Sequence, residues 1–178
     1  LKSGGVGSKS RMNGKYGIGG IFPAMVNVYE SLIVLGYSKD APERKLARQA
    51  IDALLTQRGN TMYCQPCMSP IWDTALVSQA LIEIEYKQHV STEIETALNW
   101  LKEQQLSEEP GDWRIQKPEL SGGGWAFQYS NYYYPDLDDT SMVAWAMHRT
   151  NNKSYSEPIQ HAANWVAGMQ SRGGGFSS

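Results

Sequence analysis

Three carboxylates in four positions, Asp136-Leu137-Asp138-Asp139, are the residues of this chain best suited to chemistry. Like charges at this spacing cannot all ionise freely, so at least one is expected to keep its proton. Tyr132-Tyr133-Tyr134-Pro135 precede them and an apolar helix pattern follows. A carboxyl held protonated beside aromatic rings points to a Brønsted acid. Helix capping alone accounts for one Asp: Asp138 or Asp139 could cap a helix starting near Thr140 and meet its positive end. Carboxylates also suit a magnesium site, but no partner acidic motif accompanies the trio, and no metal is expected.

The elements that position this trio must come from a chain of 178 residues, 41% hydrophobic and 19% charged, long enough for one domain or pieces of two. A net charge of -2 carries no polybasic signature, so nucleic acid is not an expected partner. Six Trp and ten Tyr against three Phe favour rings with polar handles, which line surfaces and pockets. Cys64 and Cys67 form a C-x-x-C pair without a surrounding βαβ pattern or further zinc ligands, so two reduced, buried thiols are expected. His89, His148 and His161 lie in unrelated contexts. Gly17 to Tyr37 is the most apolar stretch, but Pro23, Asn27, Glu30 and Ser31 interrupt it, and it fails as a spanning helix.

Apolar spacing predicts helices throughout. Pro23 to Leu35 places Met25, Val28, Tyr29, Leu32 and Leu35 on one stripe. Arg44 to Leu55 places Leu46, Ala50, Ala53 and Leu54; Asp73 to Tyr86 places Leu76, Ala80, Leu81 and Ile84. Ser91 opens a helix to Gln105 with Ile94, Leu98 and Leu101 on one face. Thr140 to His148 and Glu157 to Met169 complete the set, and convincing period-two strand runs are absent. The predicted class is all-α. Residues 1–18, small and polar, read as a flexible or atypical segment. Both ends look cut, and an internal piece of a longer protein is expected.

The pattern repeats. Asp73-Thr74-Ala75-Leu76-Val77 recurs as Asp139-Thr140-Ser141-Met142-Val143, an offset of 66 (139 − 73). Ala97-Leu98-Asn99-Trp100-Leu101 followed by Gln105 recurs as Ala162-Ala163-Asn164-Trp165-Val166 followed by Gln170. Each unit ends in a Gly-rich turn with an aromatic, at Gly111-Asp112-Trp113 and at Gly173-Gly174-Gly175-Phe176. Such hairpins bury their apolar faces on each other, as a solenoid or a closed double ring. The Gln is expected to bond backbone groups at a helix end while the Trp ring packs beneath it, a structural staple. Trp72 aligns with Asp138, so both are expected at equivalent helix starts facing one cavity. Aromatic faces with one acid suit cation chemistry: rings stabilise positive charge without attacking it, and water exclusion protects the cation.

Gly123-Gly124-Trp125-Ala126-Phe127-Gln128-Tyr129 followed by Tyr133-Tyr134-Pro135-Asp136-Leu137-Asp138-Asp139-Thr140 resembles the squalene–hopene cyclases. So do Ser69-Pro70-Ile71-Trp72-Asp73-Thr74-Ala75-Leu76 and Trp165-Val166-Ala167-Gly168-Met169-Gln170, and the Gln-to-aromatic units resemble the QW repeats of that family. The resemblance runs from about Gly19 to Phe176 and implies two α-α barrels, with residues 19–68 ending the second barrel and residues 69–178 beginning the catalytic one. It implies no cofactor, squalene as substrate, and hopene or hopanol as product. It further implies a monotopic enzyme on the cytoplasmic face of a bacterial membrane, and it admits a homodimer. By residue match Asp138 donates the proton, and Asp136 and Asp139 tune and orient it. Trp72 and Phe127 stabilise cations; Asp73 and Gln128 belong to the supporting polar network.

Departures accompany the match. The family pairs its central Asp with a His that matches neither His148 nor His161, so the activating group is missing here; the piece alone is expected to be inactive because a partial barrel cannot exclude water. Phe22 stands where the family often has Gln, and Phe176 where a QW repeat has Trp. Three rivals stay open: a class II diterpene cyclase acting on a prenyl diphosphate, an α-α barrel glycoside hydrolase with paired carboxylates, and a non-enzymatic helical-repeat module. The QW-like units argue against the first. The second needs another acid across a sugar-sized groove, and the third an Asp trio exposed to solvent.

Overall fold

The structure, a computed structural model, describes residues 17, 20–85, 90–108, 111–129 and 131–176. The expected flexible segment 1–18 lies outside the described residues except for Gly17, as do Tyr86 and His89. The chain divides into two compact units, Leu1–Ser69 and Pro70–Ser178.

In the first unit, helix α1 (Phe22–Val34) starts on Pro23, whose missing N–H is not needed in the first turn. It buries Met25 and Leu32, while Leu35 of the expected stripe is 38% exposed. Gly36, at φ +82, ends it: its N–H and that of Tyr37 bond the carbonyls of Ile33 and Leu32. Helix α2 (Pro42–Asp52) packs Ala50 against Met25, and Leu54, just past its end, joins the same cluster. The chain then leaves helical structure. Strands β1 (Leu55–Arg58) and β2 (Thr61–Cys64) pair antiparallel across a Gly59-Asn60 turn, with Gly59 at φ +57. The chain is mostly helical, as the all-α class predicts, and this hairpin is a local exception; seven of its eight residues are exposed, so no inward-outward alternation marked it. The thiols also depart from expectation. Cys64 is exposed at the end of β2, and Cys67, half-buried, pairs with Ile21 in an isolated bridge.

The second unit contains helices α3 (Pro70–Glu85), α4 (Thr92–Glu103), α5 (Asp112–Gln116), α6 (Leu137–Arg149) and α7 (Ser156–Met169). Two-residue strands β3 (Trp125–Ala126) and β4 (Pro135–Asp136) pair antiparallel just before α6. Ser91 caps α4, accepting the Ile94 N–H, and Ile94, Leu98 and Leu101 are buried as the spacing predicts. In α3 the packed face differs from the predicted one. Ile71, Ala75, Ser78, Gln79 and Ile82 are buried, whereas Leu76 and Leu81 are each 37% exposed and Ile84 is 80% exposed. A helix apolar all round does not declare which face packs. The Gln79 amide donates to the Met142 carbonyl at 3.1 Å, and Arg149 pairs with Glu83. The two links climb together along both helices, so α3 and α6 run side by side in the same direction.

Gln105, just past α4, donates to the carbonyls of Gly123 at 2.8 Å and Pro158 at 2.9 Å. It therefore staples the Gly-rich turn and the start of α7, rather than closing its own helix end. Trp113 packs edge-to-face on Trp165, with centroids 6.0 Å apart. Gln170 donates to the Gly174 carbonyl at 2.7 Å, and Phe176 is 53% exposed.

The turn before β3 must pass very close to other backbone. A Cβ at Gly122 would land on the Ser107 carbonyl, and one at Gly123 on the His161 carbonyl. Gly123→Ala is therefore expected to cost about 1–3 kcal/mol and to lower the melting midpoint by about 5 °C or more, read by circular dichroism. An unchanged midpoint would show that α7 can move aside.

Candidate active site

Asp136 stands where strand becomes helix. Its backbone is extended, φ -126 and ψ 165, because β4 pairs with β3 up to that residue. From there its Oδ1 accepts the N–H of Asp139 at 2.8 Å. The helix thus starts at Leu137, not near Thr140, and its cap is Asp136, not Asp138 or Asp139. The reason is geometric: a capping side chain must sit on an extended residue and reach a donor two or three residues on. Asp138 and Asp139 belong to the first turn of α6. Successive helical positions point about 100° apart, so the neighbours separate: Asp138 is exposed, whereas Asp139 is 2% exposed.

Two residues that sequence reasoning gave no site role hold this junction. Trp125, fully buried, donates its indole N–H to the Leu101 carbonyl near the end of α4 at 2.6 Å. Its backbone N–H donates to the Thr140 hydroxyl at 2.9 Å. That hydroxyl, also fully buried, donates to the Asp136 carbonyl at 2.5 Å. The sequence signals were their places in the two stretches that carry the family resemblance and the recurrence of Asp-Thr at 73–74 and 139–140.

Burial pushes the Asp139 carboxyl from an ordinary value of 3.8 up to about 8; the neighbouring charges of Asp136, Asp138 and Asp73 push the same way. Burial also raises Asp136, partly offset by the hydrogen bonds it accepts from Asp139. A side-chain hydrogen bond between the two favours the proton on Asp139 and the charge on Asp136. The pair therefore holds one proton near neutral pH. The carboxyl that keeps a proton is Asp139, and loss of solvent outweighs like-charge repulsion as the cause.

Asp73, exposed in the first turn of α3, is close enough to act on Asp139. Trp72 beside it is half-buried, two residues after the start of α3, and Asp138 is one residue after the start of α6. Phe127 is half-buried and Gln128 is 2% exposed, with neither amide atom partnered among the described residues. A cleft of about 160 Å³ is lined by Gln128, Ile71, Glu103, Gln105, Tyr129 and Tyr132 among others. Asp73, Asp136, Asp138 and Asp139 do not line it, nor do Trp72 and Phe127. The structure thus groups Asp136, Asp138, Asp139 and Asp73, and sets Gln128 beside a separate cleft. His148 and His161 are exposed, and His148 lies about 15 Å along α6 from Asp138 at 1.5 Å per residue. Among the described residues no group of three or more His, Cys, Asp or Glu is arranged to hold a metal ion.

Residues 68–178 match the squalene-hopene cyclase C-terminal domain family, and residues 8–60 the squalene-hopene cyclase N-terminal domain family. The chain is 44% identical to the squalene–hopene cyclase of Zymomonas mobilis, over 94% of this chain and 27% of that protein. It is 42% identical to a probable squalene–hopene cyclase of Sinorhizobium fredii, over 96% of this chain and 27% of that protein. The squalene–hopene cyclase of Alicyclobacillus acidocaldarius is 36% identical over 64% of this chain and 18% of its own length. The chain spans about a quarter of the length of the first two relatives.

The raised Asp139 carboxyl links stability to pH. At pH below the ordinary 3.8, folded and unfolded states both hold the proton. As pH rises toward about 8 the unfolded state loses it first, so stability contributed by Asp139 falls through that window. Asp139→Asn is expected to remove this slope: its urea midpoint should gain on that of the wild type as pH rises from 4.5 to 8. Parallel midpoints across that range would place the proton elsewhere.

Proposed function

The chain belongs to the squalene–hopene cyclase family, and from that premise we propose that it carries the acid that starts the cyclisation of squalene. Asp138 gives its carboxyl proton to a carbon of the terminal alkene. The alkene π electrons form the new C–H bond, and the positive charge appears on the neighbouring carbon. Successive alkenes attack it to close five rings. The last cation loses a proton to give hopene, or takes water and releases a proton from it to give hopanol.

One observation carries the assignment of roles. The Asp136–Asp139 pair holds a proton in place, and Asp138 stands in the same helical turn with its side chain outside that pair. The pair fixes the local charge, and Asp138 is left to meet the alkene. Trp72 and Phe127 supply ring faces for the cations. Asp73 acts through its charge on Asp139, and Gln128 offers an amide to the polar network. No cofactor is required, because proton transfer and carbon–carbon bond formation balance without a redox partner.

The architecture we propose is a double ring of helices, with Gln105 and Gln170 as QW-type staples. Two observations support it. Helices α3 and α6 run in the same direction, as successive inner helices of such a ring do. They also leave Val77, Ile84 and Trp145 more than half exposed, faces that further helices would cover. Residues 19–68 belong to a second barrel in this proposal. Among the described residues no helix is long and apolar enough to cross a membrane, and we assign the full-length protein a monotopic place on the cytoplasmic face of a bacterial membrane.

Intact protein incubated with squalene should yield pentacyclic hopene or hopanol by mass spectrometry; unchanged squalene would sink the assignment. Asp138→Asn should lower turnover by about 1,000-fold or more with the fold intact, and retained activity would move the donor to another residue.

A further inference from the structure

We propose that Thr140 is a positioning residue for the acid, holding Asp136 in place through a hydroxyl bridge from strand β3. The inference rests on the cyclase function proposed above only for its activity assay.

Trp125 and Asp136 are register partners in the β3–β4 pair. Two such residues can exchange a direct N–H to carbonyl bond. Here the Thr140 oxygen joins them as well. The Trp125 N–H donates to it at 2.9 Å, and it donates onward to the Asp136 carbonyl at 2.5 Å. A Thr hydroxyl has one proton to give and lone pairs to receive, and both kinds of bond are made here inside a site closed to water. The bond to Asp136, four residues back, is local and common in helices. The bond from Trp125, fifteen residues away, is not. It connects the helix start to a residue whose indole is itself tied to the Leu101 carbonyl.

The neighbourhood fits a built feature. A Cβ at Gly124 would come within 3.2 Å of the Thr140 oxygen and 3.1 Å of Pro135, so glycine leaves the room that the bridge occupies. The consequence reaches the carboxylates. Asp136 uses its carbonyl for Thr140 and its Oδ1 for the Asp139 N–H. Removing the hydroxyl takes away one tie on the residue that caps the turn carrying Asp138 and Asp139, leaving its strand pairing and its cap bond. Thr140 touches neither substrate nor transferred proton; it acts through Asp136.

The test compares Thr140→Val, nearly the same shape without the hydroxyl, with Thr140→Ser, which keeps it. In intact protein acting on squalene, Thr140→Val should lower kcat roughly 10- to 100-fold while KM changes less than about 2-fold. Thr140→Ser should recover kcat to within about 3-fold of wild type. A folded Thr140→Val with wild-type kcat overturns the inference, as does a Thr140→Ser as impaired as Thr140→Val. If Thr140→Val does not fold, Thr140→Cys takes its place, because a thiol is a weak donor, with the same results expected. A readout without substrate separates this inference from the functional one. The groups facing Asp139 are Asp136, Asp138 and Asp73. Infrared titration of the buried carboxyl should shift in Thr140→Val and be retained in Thr140→Ser. Identical titrations in all three proteins overturn the inference even where the wild type converts no squalene.

Discussion

The hydrogen bond from the Trp125 indole to the Leu101 carbonyl, 2.6 Å and wholly buried, is the joint on which the second unit depends. It adds a second donor to a carbonyl near the end of α4 that already accepts the Gln104 N–H at 3.0 Å. It also fixes the strand residue whose backbone N–H reaches Thr140, and through Thr140 the first turn of α6. A buried polar group left without its partner costs about 1–3 kcal/mol, and this chain of contacts would orphan several at once. The glycines before Trp125 serve the same end, because close passage past Ser107 and His161 brings β3 to the joint.

On that joint sits an arrangement that folding alone does not favour. Asp139 is removed from water, Asp136 is half-buried, and the two are held close enough to compete for charge. The positive end of α6 and the Asp139 N–H stabilise one negative charge at Asp136. They do not stabilise two, and the proton on Asp139 resolves the conflict. Stability and chemistry pull in opposite directions here, which is usual where a protein sets an acid for use. Asp138, one residue away, escapes the burial because a helical turn sends adjacent side chains to different sides.

Much of this was legible in the sequence where local spacing decides the outcome. The density of the trio predicted a retained proton, and the Ser91 cap and the Ile94, Leu98 and Leu101 face of α4 followed from their periodicity. The Gln105 staple was expected as a backbone tie, though its acceptors turned out to lie across the fold. What the sequence hid depends on tertiary contact. Which carboxyl keeps the proton is decided by burial, and burial of Asp139 is set by the packing of α6. The packed face of α3 was hidden by apolar residues on all sides. The hairpin at Leu55 to Cys64 left a Gly-Asn turn as its one local mark. The Trp125–Thr140 bridge spans fifteen residues and has no periodic signature.

The central claim is that the aspartyl pair at the start of α6 holds one proton, on Asp139, near neutral pH. The most direct measurement is a carbon NMR titration of the aspartate carboxyls, with the Asp139 signal assigned by its loss in Asp139→Asn. The account requires that signal to remain that of a carboxylic acid at pH 7 and to titrate at about 8. An Asp139 carboxyl fully ionised by pH 5 would contradict it.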